Sequence, residues 1–170
     1  VRDFDLGKIE LAITHLHHGD IKRGVAYEDL FTDDIVAVMA PNHVLATKPV
    51  LDLADFAQGD YLSILDKAND PFYNFFLKAS DVEPRSFTVL NQAQALMDLV
   101  AAGQGLALLP DFIVKERVNS GQLRQAGVDG VPLKTTWLMA HKENQPISSY
   151  ASAFIKLIKE TIRPDDAHSS

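Results

Sequence analysis

The segment from Leu99 to Pro110 constrains the fold more than any other part of the chain. An apolar helical stretch ends at Gly103, a second glycine follows at Gly105, and a short apolar run is stopped by Pro110. Glycine accepts the positive φ that the end of a helix requires, and proline cannot continue the pairing of a central strand. The segment therefore predicts a helix, a tight turn and a buried strand in succession, which is a local unit of α/β folds.

Short apolar runs alternate with amphipathic stretches along the rest of the chain, and their periodicities indicate strands and helices. The predicted strands are Ile9–Thr14, Ile35–Ala40, Tyr61–Leu65, Ser86–Leu90 and Thr135–Ala140. The predicted helical segments are 52–56, 70–79, 91–102, 111–118 and 147–162, and a polar loop is predicted over 15–26. This alternation favours a mostly parallel sheet with helices on its faces. It breaks between Thr32 and Leu62, where the chain is predicted to cross from one small subdomain to another.

Local signals predict the ends and the buried faces of the helices. Asp70 before Pro71 is typical of a helix start, because a carboxylate accepts the first N–H groups and proline fits the first turn. Asn91 is predicted to cap the next helix in the same way. The apolar face of that helix is predicted to hold Leu96, Leu99, Val100 and Gly103, and the last helix to bury Tyr150, Phe154, Leu157 and Ile158.

The composition excludes several classes of function. The formal net charge is −7 and no basic stripe is present, so the chain is not predicted to bind DNA by itself. The absence of cysteine excludes disulfides, thiolate metal sites and cysteine nucleophiles. There is no signal peptide and no apolar run near the ~18 residues of a membrane span, which predicts a cytoplasmic protein without membrane contact. No nucleophile elbow, P-loop or dinucleotide-binding turn occurs, so neither catalysis nor a cofactor is predicted.

Four segments taken together resemble the effector-binding domain of LysR-type transcriptional regulators. They are Leu6–Ile13, Ala40–Ala46, Leu51–Phe56 and Leu99–Pro110, and their order and spacing extend the resemblance over most of the chain, from Leu6 to Ile162. Two departures are small, since Glu10 stands where the family usually has aspartate and Val44 where it usually has proline. Residues 66–79 look most like the methionine-biosynthesis branch of the family, which senses a thiol amino acid.

The resemblance implies an α/β fold of the type 2 periplasmic-binding-protein kind, with two Rossmann-like subdomains joined by two crossover strands. Subdomain I would comprise residues 1–48 and 135–170, and subdomain II residues 49–134. In the family a winged helix-turn-helix, a linker helix and the first strand, helix and strand of the effector domain precede the matched region. The chain is therefore expected to be truncated at its N-terminus, with subdomain I incomplete.

The resemblance also implies a function. The chain is expected to sense a small metabolite, either an amino acid or a small carboxylate, in a cleft between the subdomains. Binding would be coupled to the arrangement of a homodimer or tetramer, and DNA would be bound only through the missing N-terminal domain. The alternative of a periplasmic solute-binding lobe with a similar fold stays open, although no signal sequence supports it.

Six residues are candidates for contact with the effector: Thr14, His15, Ser63, Leu65, Asn91 and Gln92. Thr14 and Ser63 come at the ends of predicted strands, where ligands of such folds usually bind. Asn91 and Gln92 stand at a helix start, where N–H groups and the helix dipole favour a carboxylate. A purely structural role is the alternative for Thr14, in its own loop, and for Asn91, as a helix cap.

A second reading concerns the histidines of the predicted polar loop. His15, His17, His18 and Asp20 lie close together in sequence, and neutral imidazole is a good ligand for zinc. This cluster is the basis for the further alternative of a metal-dependent enzyme. The spacing is not that of a helical pair at i and i+4, so a surface loop with incidental histidines is the preferred interpretation and no metal site is predicted.

Overall fold

A computed structural model describes residues 10–15, 23–130, 133–144 and 146–161 of the 170-residue chain. The strands are β1 (Leu11–His15), β2 (Val25–Met39), β3 (Val50–Leu51), β4 (Asp60–Ser63), β5 (Ser86–Val89), β6 (Leu106–Pro110), β7 (Arg124–Val128) and β8 (Lys134–Lys142). The α-helices are α1 (Ala93–Ala101), α2 (Asp111–Asn119) and α3 (Ser149–Thr161). A 3₁₀ helix covers Leu53–Gln58, and helical residues 71–80 include a π-helical turn over Tyr73–Leu77.

Internal contacts group the chain into two compact units. Unit 1 consists of Val1–Asp33 and Lys134–Ser170, and unit 2 of Asp34–Leu133. The chain thus passes between them inside β2 and at the start of β8. Residues 34–48 group with unit 2, because the second half of β2 pairs with β6 and β7. The division of function between subdomains I and II, with the boundaries given above, stays a prediction.

Unit 1 contains a sheet in which β8 lies between β1 and the first part of β2. β1 and β8 are antiparallel, with Leu11 opposite His141 and His15 opposite Trp137. The Phe31 and Trp137 rings stack with their centroids 6.2 Å apart. These cross-strand contacts hold β2 and β8 together within this unit.

The face of α3 that is buried differs from the predicted one. Tyr150 is 88% exposed, and Phe154 and Leu157 are also exposed, so the prediction that the helix buries them is wrong. Ala151 is buried instead, and Ile155 and Ile158 at the same helical spacing are half-buried. The helix carries two apolar stripes one residue, or about 100°, apart, and the sequence periodicity does not say which one packs inward.

Unit 2 contains a mixed sheet with the strand order β2-β6-β4-β5. β4 runs parallel to β5 and to β6, whereas β2 runs antiparallel to β6 and β7. The expectation of a mostly parallel sheet therefore holds only for β4, β5 and β6, which are joined by helical crossovers of the kind that parallel neighbours need. Side chains alternate between two apolar clusters, one around Phe56 and Leu106 and one around Leu96 and Val100.

The segment 99–110 forms the predicted helix, turn and strand. Gly103 has φ +77° and ends the helix, and Gly105 has φ +149°. A side chain at Gly105 would collide with the carbonyl oxygen of Asp60, so this position needs glycine both for its backbone and for its space. Gly103 itself is exposed, and its predicted place on the buried face of the helix is wrong because it caps the helix end instead.

Other local predictions need correction. β2 begins at Val25, ten residues before the predicted strand, so the predicted loop to residue 26 is too long. β3 and β7 were not predicted, since each is short and lacks a clear alternation. The N-cap of α1 is Gln92 rather than Asn91, and no side chain caps this helix.

Candidate functional site

The carboxyl ends of β4 and β5 lie side by side in unit 2. Ser63 pairs with Val89 at the last position of both strands. The backbone N–H of Leu90 then donates to the carbonyl oxygen of Ser63 at 2.9 Å. Four of the predicted site residues (Ser63, Leu65, Asn91 and Gln92) therefore follow from two neighbouring strand ends, the position at which α/β sheets usually bind ligands.

The Ser63 side chain points into the protein at this end of β4. Only 7% of the residue is exposed. Its hydroxyl donates to Oδ2 of Asp70 at 2.7 Å and accepts the N–H of Leu65 at 3.0 Å. The hydroxyl therefore fixes the first turn of the loop that follows β4, and this internal role was not predicted.

Asp70 is the acceptor at the centre of this network. It is 3% exposed, and besides Ser63 it accepts the hydroxyl of Tyr61 at 3.2 Å and the backbone N–H of Tyr73 at 2.9 Å. The last bond confirms Asp70 as the cap of helical residues 71–80. Among the described residues no lysine, arginine or histidine side chain bonds to it. Burial, and next the neighbouring Asp70 charge, raise the pKa of Tyr61, so this hydroxyl stays a donor.

The loop between β4 and Asp70 is held by its own polar groups. Asp66 is exposed, and its carboxylate accepts the backbone N–H groups of Ala68 and Asn69, both at 3.1 Å. Lys67 donates to Glu83 at 3.0 Å and lies 4.4 Å from the centre of the Tyr73 ring. These contacts give the chain beyond Ser63 a defined path without using Leu65, which is half-buried.

The N-terminus of α1 differs from the other helix starts of unit 2. Acidic side chains stand at the other three starts: Asp52 and Asp55, Asp70, and Asp111. α1 has no acidic residue in its first turn and no side-chain cap. Asn91 and Gln92 are exposed, and their side chains form no hydrogen bond with the described residues. The first N–H groups of α1 are thus not covered by a protein carboxylate, and they favour an anion.

At the opposite ends of these strands a polar cluster links β4 to β5. Asp60 accepts hydrogen bonds from Arg85 and from the Ser86 hydroxyl. The Arg85 bond first, and then the Ser86 bond, lower the pKa of Asp60 to about 2. This cluster belongs to the structural end of the sheet, and its charges oppose each other.

The remaining two predicted contacts lie in unit 1. Thr14 is half-buried inside β1, opposite Leu138, rather than in the loop after it. His15 is the last residue of the same strand. His17, His18 and Asp20 lie outside the described residues, within which no group of three metal-binding side chains is found. The zinc alternative and the contact roles of all six candidates stay predictions.

In the described part of the chain, no helix combines the length and apolar character needed to cross a membrane. The signal that sequence reasoning missed is the pairing of Tyr61 and Ser63, which share one face of β4, with the acid that caps the next helix. Alternate positions on a strand point to the same side, so both hydroxyls reach one carboxylate.

Comparison with known proteins places this geometry in a family. The model of the LysR substrate binding domain matches residues 1–163. The HTH-type transcriptional regulator MetR of Escherichia coli K12 is 28% identical over 118 residues, which cover 68% of this chain and 36% of that protein. The chain therefore spans about a third of the length of this relative.

Two solved structures are similar in fold. The regulatory domain of MetR, a LysR family regulator from N. meningitidis, gives a TM-score of 0.73 at 22% identity, covering 94% of this chain and 73% of that one. The effector binding domain of QuiR in complex with shikimate gives 0.75 at 20% identity, covering 94% and 75%. The predicted α/β fold of the type 2 periplasmic-binding-protein kind is thus confirmed. The chain belongs to the LysR substrate binding domain family.

Proposed function

We propose that this chain is the effector-sensing domain of a LysR-type transcriptional regulator and that it binds an amino acid or a small carboxylate. Family membership supports the general function, and the related QuiR domain has been solved with shikimate. The observation that carries the choice of ligand is the uncapped start of α1, beside the carboxyl ends of parallel strands β4 and β5. An anionic group of the effector would accept the N–H groups that no side chain covers.

The proposed contacts in unit 2 divide by chemistry. Asn91 and Gln92 supply exposed amide donors beside the first turn of α1. Leu65 supplies apolar surface, and Ser63 orders the chain between the two. Thr14 and His15 stay proposed contacts from β1.

The proposed mechanism is a shift between two arrangements of the regulator. An effector changes this equilibrium only by binding one arrangement more tightly than the other. The regulator is proposed to act as a homodimer or tetramer in the cytoplasm, with DNA bound by a winged helix-turn-helix outside this chain. The domain is proposed to catalyse no reaction. Relatedness to the methionine-biosynthesis branch is part of the proposal, supported by the similarity to MetR.

The test is a thermal-shift screen of the purified chain with amino acids and small carboxylates, followed by calorimetric titration. Selective binding to the folded state raises the melting temperature in a saturable manner. Replacing Asn91 and Gln92 by alanine is expected to weaken binding of the selected compound, whereas Asn119→Ala, an exposed asparagine at the far end of α2, should not. Absence of any saturable shift, or equal binding by both variants, would contradict the proposal.

A further inference from the structure

We infer that buried Asp70 determines the charge of the effector group that binds at the end of β4, and that this group is a protonated amine. The inference rests on the proposed function and narrows it, because it selects the amino acid from the two ligand classes. It depends on the direction of hydrogen bonds around Ser63 and on the charge behind that side chain.

The first step counts the bonds of the Ser63 hydroxyl. A serine hydroxyl has one donor and two acceptor positions. The donor is directed to the Asp70 carboxylate at 2.7 Å, and one acceptor position is taken by the Leu65 N–H at 3.0 Å. Only one acceptor position is left. A ligand carboxylate finds no donor there, whereas an ammonium group does find an acceptor.

The second step concerns the charge of Asp70. Three donors, from Tyr61, Ser63 and Tyr73, converge on its two oxygens, which is the pattern of an ionised carboxylate. No cationic side chain of the described residues bonds to it, so its buried negative charge is not neutralised by an ion pair. Burial strengthens the field of such a charge, which attracts a cation and repels an anion at Ser63.

The third step concerns the separation of the two polar sites. The bond from the Leu90 N–H to the Ser63 carbonyl, 2.9 Å long, holds the end of β4 against the chain that leads into α1. An acceptor with negative charge behind it therefore lies next to a helix start that favours a carboxylate. This arrangement matches a molecule that carries an amine and a carboxylate close together, as an α-amino acid does.

Matched ligand sets test the inference. Each amino acid that raises the melting temperature is titrated calorimetrically beside the carboxylic acid that lacks its amine. We expect removal of the amine to weaken binding at least about tenfold. Asp70→Asn should weaken the amino acid to a similar degree and narrow the gap between amino acid and carboxylic acid. Tyr61→Phe, which removes one donor but keeps the charge, should preserve that gap.

Ser63→Ala provides a second variant in case Asp70→Asn fails to fold. It removes the acceptor and should also narrow the gap, whereas Ser86→Ala, which loses a hydroxyl at the other end of these strands, should not. Equal binding of amino acid and carboxylic acid to the unmodified chain overturns the inference and leaves the proposed function standing. An unchanged gap in the folded Ser63 variant also overturns it. Failure of every small molecule to bind contradicts the proposed function and the inference with it.

Discussion

Replacing Gln92 by aspartate should stabilise the fold and weaken the effector at the same time. Gln92 occupies the N-cap position with an extended backbone (φ −137°, ψ 125°) and makes no capping bond. The shorter aspartate side chain can accept an N–H of the first turn, and its charge also interacts favourably with the helix dipole. A binding effector carboxylate would meet that same charge. One substitution thus separates the needs of the helix from those of the ligand.

The two magnitudes follow from the geometry. A new side-chain cap contributes about 1 kcal/mol. For a chain of this size that raises the melting temperature by roughly 2–4 °C. Two like charges about 4 Å apart repel by about 1 kcal/mol in water and about 4 kcal/mol near a protein surface. Binding of a carboxylate should therefore fall at least about tenfold.

Thermal denaturation without ligand and calorimetric titration with ligand measure the two effects. Gln104→Asp is the matched control, because it makes the same chemical change at the exposed C-terminal end of α1. The control should not stabilise the fold, since an acid is unfavourable at that end of a helix, and it should leave binding unchanged. A Gln92 variant that is stabilised yet binds a carboxylate as tightly as the unmodified chain would refute the assignment of α1 as the anion site.

Three further predictions concern stability. Ser63→Ala should lower the free energy of unfolding by about 1–3 kcal/mol in urea titration, because Asp70 and Leu65 each lose a partner; no loss would contradict the network. The pKa of Asp60 is lowered to about 2, so its contribution is present above its unfolded pKa near ~3.9 and is lost as the pH falls from there through 2. Arg85→Ala should therefore flatten acid denaturation curves in that range, and an unchanged curve would count against this ion pair. Gly105→Ala should be clearly more destabilising than Gly103→Ala, which needs only a positive φ in open space and should cost about 1 kcal/mol; similar losses would exclude the predicted collision.

The sequence predicts best those features that depend on neighbouring residues. Gly103, Gly105 and Pro110 impose their backbone conformations locally, and the helix, turn and strand appear where expected. Asp70 likewise caps the helical segment that begins beside it. In both cases the determining interactions span only a few positions, so no knowledge of the tertiary structure is needed.

Features that depend on distant partners could not be predicted in the same way. The two apolar stripes of α3 are equivalent until the sheet selects Ala151 and leaves Tyr150 in solvent. The length of β2 depends on pairing with β6 and β7, far along the chain. For the candidate site, strand ends identified Ser63, but the bond that directs its hydroxyl to Asp70 requires the loop between them to fold back.

The most direct test of effector sensing is an amide NMR titration of the chain with a compound selected by thermal shift. Binding at the proposed site should produce saturable shifts concentrated at the N–H of Leu65 and at the first-turn N–H groups of α1, Ala93 to Ala95. The Asp60 and Arg85 end of the same strands should change little. Saturable shifts confined to other regions, or no saturable shift with any amino acid or small carboxylate, would contradict the account.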